Sequence, residues 1–190
     1  MIPKLSRPGK WCYPHAFPSS ENTLMADLSV NERRSQDLVS ALVRSGIAVG
    51  VSDFIFASVA NAILQHRTPI RVFQGVASVP FGRGALNGGL RTFALGVAIH
   101  FCVAFFWSGV YLLITRGIPA LGRLVKTPGG ALAFAAVYGP VIWLVMTFIV
   151  IPAFVHRPPT ISAIWWVNLL GHVPFIVMPM VWASGDGREK

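Results

Sequence analysis

Residues 45 to 64 read Ser45-Gly-Ile-Ala-Val-Gly-Val-Ser-Asp53-Phe-Ile-Phe-Ala-Ser-Val-Ala-Asn-Ala-Ile-Leu64, a stretch without a basic side chain and with Asp53 as its one acid. A bilayer core of about 30 Å needs roughly 20 apolar residues in helical form, because hydrocarbon offers no partner to an unpaired backbone group. The stretch therefore predicts a membrane-crossing helix. Three further windows have the same character, at about 92–115, 129–154 and 161–183. The third ends near Pro152 and is followed by His156-Arg157-Pro158-Pro159, which cannot continue a helix, so the last two spans should form a tight antiparallel hairpin. The fold class expected is all-α, an integral membrane four-helix bundle.

Composition agrees. Of 190 residues 54% are hydrophobic and 12% charged, about half the charge of a soluble domain. The net charge of +9 comes from Lys and Arg spread through tails and loops, with no recognition helix or aromatic-interleaved basic surface, so no nucleic-acid partner is expected. Cys12 lies in a polar tail and Cys102 in an apolar run, which gives no disulfide framework and no CxxC metal motif. The amino terminus lacks the sequence of basic, apolar and small-residue regions that marks a cleaved signal peptide, so the first span should serve as the insertion signal.

Around the spans the organisation is simple. Residues 1–38, with Pro3, Pro8, Pro14 and Pro18, read as a disordered polar tail, inside which Met25 opens a second start. Residues 39–184 form the four-span domain and 185–190 a short C-terminal tail. Thr68-Pro69 signals a helix start, after which Ile70, Phe73 and Val76 or Ala77 fall on one face and Arg71, Gln74 and Ser78 on the other. This predicts a short helix over about 69–79, lying in the membrane interface and ended by Pro80. Arg71, Gln74, Ser78 and Arg83, the last within a glycine-rich run, are its candidate anion contacts, although the run lacks the Gly-Lys-Ser/Thr ending of a phosphate loop. Trp165, Trp166 and Trp182 fit aromatic belts. With four spans both termini share a side. That side holds Arg33, Arg34, Arg44, Arg116, Arg123, Lys126, Arg188 and Lys190, against Arg67, Arg71, Arg83, Arg91 and Arg157 opposite, an excess that puts both termini in the cytoplasm.

The polar residues within the spans point to a site. Asp53 is the only acid between Asp37 and Asp186, and a carboxylate at mid-membrane on a lone helix costs at least about 2.5 to 3.5 kcal/mol. It should face protein. Gly46, Gly50, Asp53 and Ala57 fall on one stripe, where the two glycines should admit a neighbouring backbone, and Gly96, one turn before His100, is a further helix-packing candidate. His100, Tyr138, Asn168 and His172 lie near the centres of the other spans, and such groups are best placed together in a bundle interior. Three readings of this cluster stand side by side. The first is hydrogen-bonded glue that fixes register, at about 0.6 kcal/mol per contact. The second is a proton- or ion-linked transport site. The third is a cofactor site, with His100 and His172 as axial ligands of haem b or joining Asp53 as a metal triad, though no ligand-spaced motif supports either and no cofactor is expected. No GxSxG or HExxH occurs, so enzyme chemistry is not indicated.

Arg71-Val-Phe-Gln-Gly-Val-Ala-Ser78, Asn87-Gly-Gly89, Leu95-Gly-Val-Ala-Ile-His100-Phe, Val110-Tyr111, Tyr138-Gly139 and Met146 with Pro152 resemble a widespread group of uncharacterised bacterial inner-membrane proteins, the YagU-like family. The likeness covers roughly residues 43 to 155, includes a mid-membrane acid in the first helix, and leaves out the long tail and the Trp-rich fourth span. It implies a four-helix fold in a bacterial inner membrane and brings no reaction with it. The function expected is that of a multi-pass inner-membrane protein whose central polar cluster is linked to protons or a small solute. The alternatives are an accessory or assembly subunit of a larger membrane complex or a homo-oligomer, and a haem- or metal-binding protein.

Overall fold

The computed structural model describes residues 20–156 and 158–185, and among these there is no strand. Eight α-helices follow in order: α1 (Ser20–Gln65), α2 (Pro69–Phe81), α3 (Gly89–Gly117), α4 (Pro119–Leu124), α5 (Pro128–Val145), α6 (Ile151–Val155), α7 (Ala163–His172) and α8 (Met178–Ser184). A 3-10 turn at Arg83–Asn87 leads into α3, and π turns at Met146–Val150 and Val173–Val177 join α5 to α6 and α7 to α8. Four helical stretches are long and apolar enough to cross a membrane: Asp27–Gln65, Gly89–Gly117, Pro128–Val155 and Ala163–Ser184. Even the shortest, 22 residues, is about 33 Å long at 1.5 Å per residue. Their outward faces carry large apolar side chains such as Ile55, Leu113, Val137 and Leu170, each more than half exposed. A water-facing surface does not look like this. The chain is a multi-pass helical membrane protein.

Two units divide the chain, residues 1–37 and 38–190. In the first, the expectation of a disordered tail does not hold from Ser20 onward, where α1 begins. The tail's prolines end at Pro18, and no Pro or Gly follows until Gly46, so good helix formers such as Leu24, Met25, Leu28, Glu32 and Arg33 meet no interruption. Residues 1–19, with the earlier prolines and Cys12, lie outside the described residues, as do Arg157, Arg188 and Lys190 of the charge comparison.

The core of the second unit gathers Ala41 and Val49 of α1, Trp107, Tyr111 and Leu112 of α3, Ala135 and Ile142 of α5, and Ile176 to Val181 around the last turns. Each π turn has a proline two residues after its end, in Phe148-Ile-Val-Ile-Pro152 and Phe175-Ile-Val-Met-Pro179. The pyrrolidine ring would collide with the carbonyl four residues back, and a widened turn removes the collision. In each the backbone N–H after the turn reaches five residues back, Ile151 to Met146 and Met178 to Val173.

α2 runs two residues beyond the expected end, to Phe81, so Pro80 sits inside its last turn and Gly82, at φ 77°, stops it. Its buried residues are Phe73, Gln74 and Ala77, while Ile70 is exposed. The inward face is therefore rotated from the one its apolar pattern implied, because Gln74 donates to the Gly89 carbonyl at 3.0 Å and is drawn inward with it.

Two helix ends are strained. His66 after α1 and His156 after α6 adopt φ of 52° and 55°, the left-handed region that costs an L side chain about 1 to 2 kcal/mol. Glycine there relieves the clash but gives up chain entropy when folded. His66→Gly and His156→Gly should each stabilise the protein by about 0.5 to 1 kcal/mol, read as a raised unfolding midpoint in detergent. A lowered midpoint in either would contradict the assigned strain.

Candidate functional site

Asp53 projects from α1 one turn beyond Gly50, and both meet the same histidine of α3. The His100 Nε2 lies 3.0 Å from the Gly50 carbonyl oxygen, and its Nδ1 lies 3.7 Å from Asp53 Oδ2, both side chains being largely buried. A carbonyl only accepts, so Nε2 must carry a hydrogen. Phe73 and Phe101 meet the imidazole edge-on, with centroids 5.2 and 5.7 Å away, and hold the ring in this plane. The remaining nitrogen, Nδ1, is left facing the carboxyl group. If neither partner holds a further proton, a lone pair confronts a carboxylate. With one proton added, the pair is either a neutral acid beside a neutral imidazole or an ion pair. At 3.7 Å the two groups stand within ion-pair reach but beyond a hydrogen bond, so the geometry brings an acid and a base together.

These residues border a cavity of about 460 Å³ walled by α1, α2, α3, α5 with α6, and α7. His172 and Asn168 of α7 and Asn61 of α1 contribute its other polar groups. The His172 Nδ1–H donates to the Asn168 carbonyl at 2.6 Å, and the ring lies 5.0 Å from that of Trp143. Gly139 makes that placement feasible, since a Cβ there would stand 3.0 Å from the His172 backbone. Asn61 Nδ2 donates to the Ala57 carbonyl at 2.9 Å.

Of the five residues expected to meet at mid-depth, Asp53, His100, Asn168 and His172 border this one cavity, and Tyr138 does not. The Tyr138 hydroxyl donates to the Trp107 carbonyl at 3.0 Å, and its ring packs with Trp107, Tyr111 and Phe134. Shared depth was the reason to include it, but its position on α5 turns it toward the backbone of α3 instead.

The small residues also act differently from the expectation. Gly46 and Gly50 receive the rings of Phe105 and Phe101, so the notch on α1 accepts side chains and not a neighbouring backbone. Close backbone approach occurs at Gly96, where the Phe73 carbonyl of α2 occupies the place of a Cβ. Ala57 borders the cavity. On α2 the candidate anion contacts spend their polar atoms on nearby backbone. Arg71 donates to the Leu86 carbonyl at 2.5 Å and Ser78 to that of Gly75 at 2.7 Å, while Gln74 is buried against Gly89. Arg83 is exposed in the 3-10 turn. Among the described residues no three His, Cys, Asp or Glu side chains are placed to hold a metal ion. Asp53, His100 and His172 therefore do not form the triad considered from the sequence.

Asn61, Phe73, Trp107 and Trp143 border the cavity without having been foreseen. For Asn61 a signal was present: the stripe through Asp53 and Ala57 reaches it four residues later. The aromatic walls carry no such mark. Comparison with protein-family models, with curated proteins and with solved structures gives no match.

Proposed function

We propose that this protein is a four-helix bundle of a bacterial inner membrane, related to the YagU-like group, with both termini cytoplasmic and α2 near the membrane interface. Its activity on this reading is proton-linked movement of a small solute, with Asp53 and His100 taking up and releasing the proton. The observation that carries the reading is the placement of His100 Nδ1 3.7 Å from Asp53 Oδ2 at the edge of the 460 Å³ cavity. Mid-membrane acids that meet histidine beside a cavity are the usual material of proton relays, whereas a purely structural pair has no need of adjoining space. Asn61, Asn168 and His172 give a solute polar contacts, and the apolar walls shape the rest.

Asp53→Asn keeps the shape of the carboxyl group and removes its charge. In proteoliposomes loaded with a pH-sensitive dye and supplied with a panel of small organic solutes, the wild-type protein should collapse an imposed pH gradient faster than protein-free vesicles with at least one of them, and the variant should fall back to their rate. Equal rates for wild type and variant, with only a lower unfolding temperature in the variant, would show the pair to be register-fixing glue.

A further inference from the structure

We infer that the cavity binds a small monovalent organic cation, and that this cation takes the place of a proton held by Asp53 or His100. The inference rests on the proton-linked reading above and names its solute class. Three features of the walls select the solute class. First, among the described residues no Lys or Arg borders the cavity, and the groups there able to carry charge are Asp53, His100 and His172. An anion would meet the carboxyl group with no fixed positive partner. Second, most of the wall is aliphatic or aromatic, with Phe73, Trp107 and Trp143 among its side chains. Such walls take a hydrocarbon body. Third, His100 cannot supply a lasting counter-charge. Its Nε2–H is held by the Gly50 carbonyl, so it balances Asp53 only while a further proton sits on Nδ1 or on the carboxyl group.

When that proton leaves, the site carries one uncompensated negative charge beside an apolar space. A single cationic head near Asp53 restores neutrality, and a neutral solute does not. Proton and cation therefore compete, one for one. The titratable groups facing Asp53 are His100 from α3 and His172 from α7, while α2 and α5 present only apolar and aromatic side chains to the cavity. The volume of about 460 Å³ lies within the range of small-ligand sites, about 300 to 1,000 Å³.

Phenyltrimethylammonium and its uncharged carbon isostere tert-butylbenzene are suitable probes. Binding to the full-length protein in nanodiscs is measured by calorimetry between pH 5.5 and 8, in two buffers of different ionisation heat, with protein-free nanodiscs as the blank. The expected result is that each ammonium bound releases one proton at the acid end, with affinity rising about tenfold per pH unit while the proton is held. The isostere should release none, and Asp53→Asn should weaken the cation at least tenfold and abolish the release. Proton counting on the wild-type protein needs no variant, so misfolding of Asp53→Asn leaves the test intact. Binding without proton release, or equal binding of the two probes, would overturn the inference and leave the cavity as a recess for any apolar chain. Cation binding with proton release but no pH-driven flux would retire the transport reading alone. Flux lost in Asp53→Asn with no cation binding would retire this inference alone.

Discussion

Gly96→Ala should lower the stability of this protein by about 2 to 3 kcal/mol, the upper part of the range for an overpacked core. The new methyl group would occupy the space of the Phe73 carbonyl on α2. A side chain in that place could swing aside. A carbonyl in mid-helix cannot do so without carrying its helix along, and α2 is also tied by Gln74 to Gly89 and by Arg71 to Leu86. The strain must therefore part α2 from α3. Gly75 supplies the control. It is on α2, a Cβ there meets nothing within 4 Å, and Gly75→Ala should raise stability by about 0.5 to 1 kcal/mol through lost chain entropy alone. Unfolding in dodecyl maltoside with increasing SDS, followed by circular dichroism, would give both values. Equal shifts for the two variants would show that the contact at Gly96 is not close.

Phe73→Ala should have an effect of similar size for a different reason. The ring is 1% exposed, stacks on Phe54 at 4.4 Å, and meets Phe93 and His100 edge-on. In a soluble core its loss would cost about 3 to 5 kcal/mol, of which a large share is transfer from water. Within a bilayer the separated helices meet lipid tails as apolar as the core, so that share falls away and packing remains. About 2 kcal/mol is then expected, together with a looser His100 ring beside an enlarged cavity. Thermal unfolding in detergent measures the first. A cost of 4 kcal/mol or more would mean that water reaches this face when α2 separates, placing it outside the hydrocarbon.

The membrane-crossing helices were legible because their signal is summed over some twenty residues, and no local irregularity cancels it. Asp53, His100, Asn168 and His172 were legible for a related reason: each is costly in hydrocarbon and so reveals that something must receive it. Tyr138 was misplaced because depth along a helix says nothing about direction around it. The periodic rule also fails across the wide turn in the third span, where Ile142 and Thr147 are both buried although five residues apart. The helix from Ser20 was hidden by prolines that stop at Pro18, and the inward turn of Gln74 by a partner, Gly89, that no pattern within α2 announces. Close approach was expected at Gly46 and Gly50, where the gaps admit the rings of Phe105 and Phe101, whereas at Gly96 the neighbour is backbone. The chain shows that a small residue is present, and only the fold shows what fills the space.

The short second helix has a mechanical consequence. At thirteen residues it is about 20 Å long, too little to be anchored at both faces of a 30 Å hydrocarbon layer, as the longer helices beside it are able to be. Its seat depends on the backbone contact at Gly96, a stacked ring, the buried Ala77, a buried amide and one guanidinium. This wall of the chamber is held by its fit against the third helix and not by reach across the bilayer, so the room beside Asp53 depends on how closely that one strut is seated there.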